Sequence, residues 1–198
     1  MNVELKLFVR SACCITFVAI FAIAVTLPAA GQVESIDATA RGTSTQMGQI
    51  VSVKVIVNQY STPEDTQVLK DAFLSGGHKG LVNALSKMKS SGRIQIPGTV
   101  GSDLAYAVTI PTPTGRRIRF ATNRRIAFGE AYHNTRSQAY DLTAGEFDIN
   151  EQDNKKSVGV LYPAAQLIIN TDGELQLELR RNPWQLTNII DWKPKGKE

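Results

Sequence analysis

The chain has 198 residues, with 22 Lys and Arg against 18 Asp and Glu, two His and two Cys, and a net charge of +4. A balance this near neutrality makes no case for a nucleic-acid partner, and the length suits one domain with one core. Both cysteines, Cys13 and Cys14, fall in the N-terminal leader described next, so the rest of the chain holds no disulfide, thiolate metal site or cysteine nucleophile.

Met1 to Gly31 has the pattern of a secretory signal peptide. Lys6 and Arg10 give a basic start, Cys13 to Leu27 is apolar, and Pro28-Ala29-Ala30-Gly31 supplies small residues for cleavage before Gln32. The expected organisation is a signal peptide over 1–31, a single α+β domain over 32–192 and a flexible tail over 193–198. The expected location is the periplasm or the cell exterior, with an uncleaved N-terminal helix as the alternative. No later run approaches the length of a membrane span.

Ile36, Ala38 and Ala40 alternate with polar neighbours and predict a first strand, followed by a polar turn over Gly42–Gly48. Ile50–Tyr60 predicts a second, with Val51, Val53, Val55 and Val57 on one face. Thr62-Pro63-Glu64-Asp65 then starts a helix: a capping hydroxyl, a proline where a missing N–H costs nothing, and two carboxylates at the positive end of the dipole. Val68, Leu69, Ala72 and Phe73 form its stripe, and Gly76-Gly77 ends it. A second helix is expected from Lys79 to Lys89, with Leu81, Val82, Leu85 and Met88 inward, making a helical hairpin that lies on a sheet.

From Gly92 the chain reads as strands and turns. Arg93–Ile96 is short. Leu104, Tyr106, Val108 and Ile110 share a face, and Pro111–Gly115 is a turn. Arg116–Thr122 follows with Ile118 and Phe120 inward, and Ile126–Tyr132 is another strand. Leu142–Ile149 changes alternation phase around Gly145, which predicts a bulge there. Val158–Ile169 bends near Pro163, Thr171-Asp172-Gly173 turns a hairpin into Leu175–Leu179, and a last strand uses Trp184, Leu186 and Ile190. The aromatics Tyr60, Tyr106, Phe120, Phe128, Tyr132, Trp184 and Trp192 are read mostly as core. The fold class is α+β, a largely antiparallel sheet of about eight strands that can curl or close, with an inserted helical hairpin.

Catalytic signatures are missing: no nucleophile elbow, zincin helix, phosphate loop or dinucleotide fingerprint. Ser86-Lys87-Met88-Lys89 matches Ser-x-x-Lys without its companion elements and reads as a solvated helix face. Asp148, Asn150, Asp153 and Asn154 lack the glycine and closing glutamate of a calcium loop and read as a hairpin tip. Glu146 and Asp148 share a strand face. His78 lies in the helical turn, and His133 follows a strand with no nucleophile in view. No catalytic residue, metal site or cofactor is assigned.

The arginines are the candidate ligand-binding residues. With Ile118 and Phe120 inward, Arg117 and Arg119 project from the opposite face, and a turn at Asn123 brings Arg124 and Arg125 near them. Guanidinium groups suit phosphates and carboxylates; the bland alternative is a solvated face that blunts an edge strand.

Several segments together resemble an uncharacterised family of exported bacterial proteins: Gly42-Thr43-Ser44, Tyr60-Ser61-Thr62-Pro63-Glu64, Gly80-Leu81-Val82 with Met88, Gly92-Arg93-Ile94, Asp103-Leu104-Ala105-Tyr106, Arg116-Arg117-Ile118 and Leu186-Thr187-Asn188. The resemblance implies an exported single domain and carries no activity, substrate or cofactor. The functional expectation is an exported, non-enzymatic binding protein for a small apolar ligand in a curved sheet or an anionic envelope partner at the arginines. The alternatives are an unrecognised periplasmic hydrolase using His133 and a carboxylate, and a structural or assembly component of the envelope.

Overall fold

The computed structural model describes residues 34–43, 47–124, 142–169, 175–178 and 183–192. The leader, the tail, the expected strand at Ile126–Tyr132, His133 and the Thr171-Asp172-Gly173 turn lie outside the described residues. The described elements are β1 (Glu34–Arg41), β2 (Ile50–Val57), α1 (Pro63–Leu85), β3 (Gly92–Gln95), β4 (Ser102–Thr112), β5 (Gly115–Thr122), β6 (Leu142–Asn150), β7 (Val158–Ile169), β8 (Leu175–Glu178) and β9 (Trp184–Trp192).

The described pairings are all antiparallel, in the order β6-β5-β4-β3-β2-β1-β9-β7-β8, and β6 also pairs with β7. That last pairing closes eight strands into a barrel, with β8 extending β7 beyond it. The α+β, largely antiparallel expectation therefore holds, and the sheet is closed. Closure leaves β5 with no free edge, because β4 and β6 flank it. Its arginines have no edge to blunt.

Alternating apolar residues fill the interior. Ile36, Val55, Phe120, Phe147, Trp184 and Leu186 belong to one buried cluster, with the Phe120 and Phe147 rings 5.7 Å apart. Eight strands enclose a lumen about wide enough for side chains to fill, and these residues occupy it. A methyl group added at Gly145 would lie 2.4 Å from Phe120 Cζ, so the ring needs a bare backbone opposite it.

The helix begins as its sequence dictates. Thr62 Oγ1 accepts from the Asp65 amide while the Asp65 carboxylate accepts from the Thr62 amide. The expected two-helix hairpin is one element broken at Gly77, which has φ 58°. A Cβ on Gly80 would sit 2.3 Å from the Ala72 carbonyl oxygen, although residues eight apart in a straight helix are separated by roughly 12 Å. The chain thus folds back sharply at Gly77, and the second limb ends at Leu85, short of Lys89. Leu69, Leu81 and Leu85 pack on Ala105, Ala121, Ala144 and Leu142. Alanines on the outer face of β4–β7, Ala165 of β7 among them, let the helix approach closely, so it covers the sheet from outside.

Three strands carry a bulge: it breaks the alternation expected of β4 and β9, and in β6 it falls near the expected place. In β4 the register slips between Leu104 and Tyr106, so Leu104 and Ala107 are interior while Tyr106 and Val108 face outward. In β6 the slip lies between Leu142 and Ala144, two residues before the expected Gly145. Thr143 Oγ1 donates to the Pro163 carbonyl there (2.7 Å), in the part of β7 where a proline removes a ladder donor. In β9, Asn188 adopts φ 50°, and the register against β1 slips between Asp37 and Thr39. Trp184 and Leu186 are interior before the slip and Ile189 after it, leaving Ile190 and Trp192 exposed. The Pro111–Gly115 turn is also tighter than expected: Thr112 pairs with Gly115, and only Pro113 and Thr114 turn.

A left-handed backbone costs an L side chain about 1–2 kcal/mol, least for Asn and Gly. Asn188→Val should lower stability to urea denaturation by about that amount, while Asn188→Gly should be neutral or slightly stabilising. Equal losses in both variants would show that the Asn188 side chain, not its φ, holds the bulge.

Candidate functional site

Because the barrel is an antiparallel meander, its connections alternate between two ends. One end, the near rim, carries the start of β1, both ends of the α1 insertion, the Pro113-Thr114 turn, the β6–β7 connection and the end of β9. The other, the far rim, carries the β1–β2, β3–β4 and β5–β6 connections and the approach to β9.

The near rim holds a charged cluster assembled from distant parts of the chain. Arg116 pairs with Ile149 and shares parity with Ile118 and Phe120, so it points inward. Its Nη1 donates to Glu34 Oε2 at 3.0 Å and its Nη2 to Glu34 Oε1, a two-pronged contact. Nη2 also meets Asp191 Oδ2, and Nε lies 3.4 Å from Glu151 Oε1. The Tyr60 hydroxyl donates to Glu34 Oε2. The side chains of Glu34, Asp191 and Arg116 are 6 %, 9 % and 14 % exposed, against 47 % for Glu151, so the cluster is internal and opens to solvent on the Glu151 side.

This is a cross-lumen contact. In the eight-strand ring β5 and β1 stand opposite each other, and the Arg116–Glu34 pair spans the space between them. Burial alone would raise the Glu34 carboxyl, but hydrogen bonds from Arg116 and Tyr60 and the Arg116 charge more than offset it and hold Glu34 below its ordinary value. Asp191 goes the other way: burial and the neighbouring Glu34 charge push its carboxyl up against the pull of Arg116. Burial, followed by the Glu34 contact, raises the Tyr60 phenol and keeps it protonated. Asp191 Oδ1 is buried with no hydrogen-bond partner among the described residues, an arrangement that favours the protonated acid.

The candidate arginines are placed differently. Arg117 and Arg119 project outward, as their alternation with Ile118 and Phe120 predicts. Each meets a carboxylate directly across on β6: Arg117 Nε donates to Asp148 Oδ1 (2.6 Å) and lies 3.2 Å from Glu146 Oε1, and Arg119 Nε donates to Glu146 Oε2 (2.6 Å). Arg124 is exposed at the far rim with no ion pair among the described residues, and the Thr143 amide donates to its carbonyl. Arg125 lies outside the described residues.

Of the other sequence candidates, Ser86 caps the end of α1, exposed, with its hydroxyl on the Asn83 carbonyl. Asn150 Oδ1 accepts from the Gln152 and Asp153 amides and Asp153 Oδ1 from Lys155, so these oxygens shape the hairpin tip. His78 is half-buried just after the Gly77 corner. Among the described residues no helix is long and apolar enough to cross a membrane.

Sequence reasoning missed Glu34 and Arg116 as a pair, although the signal was present: Glu34 alternates with Ile36, Ala38 and Ala40, and Arg116 with Ile118 and Phe120. Asp191 carried no such signal, because only the bulge at Asn188 turns it inward. A scan against protein-family models finds no match, and searches of curated proteins and of solved structures likewise find none.

Removing one partner of a buried ion pair costs about 3–5 kcal/mol, whereas an exposed pair contributes about 0–1 kcal/mol. Arg116→Met should therefore destabilise the barrel severely and Arg117→Ala barely, as read by urea denaturation; comparable losses would refute the cross-lumen role. The pH dependence has a definite sign. Glu34, held low, contributes stability present above about pH 4.3 and lost as pH falls through its lowered folded value. Asp191, held high, costs the folded state increasingly as pH rises from about 4 through its raised folded value. Between about pH 4 and 7 the stability difference between Asp191→Asn and wild type should move in favour of the variant. Movement the other way would mean that Arg116 dominates Asp191.

Proposed function

We propose that this chain is an exported, non-enzymatic binding domain that acts through its outer surface on an anionic envelope partner, with Arg124 at the far rim as part of the contact. The observation that carries this reading is the state of the barrel itself. Trp184, Phe120 and Phe147 are buried in the lumen and Arg116 ties its near end to Glu34, which argues against entry of a small apolar ligand among the described residues. Binding then falls to the surface.

Export is supported by the leader-like N-terminus. The non-enzymatic reading is supported by how the described reactive groups are engaged. Glu34 and Asp191 are committed to Arg116, and the Tyr60 phenol is held protonated. Ser61 and Ser91 bring their hydroxyls to 3.4 Å, but Ser61 Oγ accepts from the Ala107 amide, which ties the start of the helix to β4. On the outer face Asp148 and Glu146 neutralise Arg117 and Arg119, which moves the anion-facing role to Arg124.

The test pairs two measurements. Native mass spectrometry of protein from an exporting host should show the bare chain, and retention on phosphocellulose should fall in salt and fall further in Arg124→Glu. A reproducible extra mass would overturn the surface reading in favour of a carrier. Retention unchanged by the substitution would remove Arg124 from the site.

A further inference from the structure

Apolar side chains are exposed at the far rim in an ordered setting. Met47 and Val100 are each 81 % exposed and Ile50 61 %, and they sit on the β1–β2 and β3–β4 connections and the first residue of β2. Exposed apolar residues scattered singly need no explanation; these three gather at one end of the barrel, on neighbouring connections, and two of them sit at loop tips.

The loops are built to hold them out. Val100 lies between Gly98 and Gly101, both at positive φ (86° and 78°), and the Thr99 amide donates to the Ile96 carbonyl. Arg93, paired with Asp103, also donates to the Val100 carbonyl at 3.4 Å. Met47 precedes Gly48 (φ 92°), the Gly42 amide closes the loop on the Gln49 carbonyl, and the Thr43 hydroxyl ties it to the Pro183 carbonyl at 2.6 Å. These bonds brace the described part of each loop, while the Met47 and Val100 side chains are left exposed. Arg41 and Arg124, exposed at the same rim, have no ion pair among the described residues.

We infer that the far rim docks on an anionic lipid surface, with Met47, Ile50 and Val100 entering the headgroup–acyl boundary and Arg41 and Arg124 pairing with lipid phosphates. The inference rests on the anionic-partner reading above and names its partner. Protruding apolar tips suit a deformable lipid layer, and cations beside them supply the attraction that brings such tips to an anionic surface.

The test uses the chain as processed by an exporting host, with vesicles of phosphatidylcholine alone or mixed with phosphatidylglycerol. Flotation with the anionic vesicles is expected, with a loss of about tenfold in partitioning for each of Met47→Asp and Val100→Asp. Both sites are exposed loop positions, so thermal unfolding should be unchanged. Val100→Trp in a Trp192→Phe background leaves only the buried Trp184 as background, and its emission should shift to the blue with anionic vesicles and be quenched by doxyl-labelled lipid. That local readout decides the matter even if the apolar leader is retained. Vesicle binding indifferent to both Asp substitutions, or no shift at position 100, overturns the proposal. So does a dimer in native mass spectrometry that Met47→Asp dissolves, which would assign the tips to a second copy. Retention on phosphocellulose without vesicle binding overturns the lipid partner and leaves the anionic-partner reading standing. Loss of both brings down the two together.

Discussion

One guanidinium spans the barrel. Arg116 lies on β5 and Glu34 on β1, at opposite points of the ring, and the two-pronged contact between them crosses the near end of the lumen. Lowering the dielectric around a charge is costly unless its partners are well placed, and this arginine has three: Glu34, Asp191 and, on the solvent side, Glu151. An apolar plug would fill the same space. What the ionic arrangement adds is register: a one-residue slip in β5 would turn Arg116 outward and leave the Glu34 carboxylate buried without a cation. The pairing of β4, β5 and β6 is therefore tied to the position of the first strand, which the chain reaches some eighty residues earlier.

The remainder of the fold follows from alternation and its interruptions. Strands with β-branched residues at every second position, such as Val51 to Val57, were readable because their buried face is continuous. So was the start of the helix, where Thr62, Pro63 and Asp65 each perform a local task. The bulges were not. At Ala105 an extra residue in β4 changes which side chains enter the lumen, and nothing about Leu104-Ala105-Tyr106-Ala107 marks it, since all four are acceptable on either face. At Asn188 the cue was faint, an asparagine amid apolar residues, and the outcome large: the bulge sends Asp191 inward and Trp192 outward. Closure was equally illegible, because the β6–β7 pairing depends on how far each strand pair twists, which no single strand records.

The charged residues show where parity can outdo composition. Five arginines between Arg116 and Arg125 look alike as a cluster, yet strand alternation separates them physically. Arg116 falls on the face of Ile118 and Phe120 and is interior. Arg117 and Arg119 fall on the other face, where Glu146 and Asp148 stand in register on the neighbouring strand. Reading the same stretch by face rather than by density isolates the structural arginine from the two that form an outer ladder. That ladder sits close to the alanine-lined patch where α1 packs, so the outer surface of β4–β6 is largely spoken for by the protein itself.

An even-stranded antiparallel meander must sort its connections between two ends, and this chain uses the two ends unequally. The near rim receives tight or tied connections: a two-residue turn, a short 3-10 turn at Asn154–Lys156, and the helical insertion held by Ser61 and Ser91 to β4. It also concentrates carboxylates around one arginine. The far rim receives the β1–β2 and β3–β4 loops, from which Met47 and Val100 stand exposed. The same alternation that places Arg116 inside sends the described β1–β2 and β3–β4 loops to the opposite end. The charged cluster that ties β5 to β1 and the loops that expose Met47 and Val100 thus stand at opposite ends of the same strands.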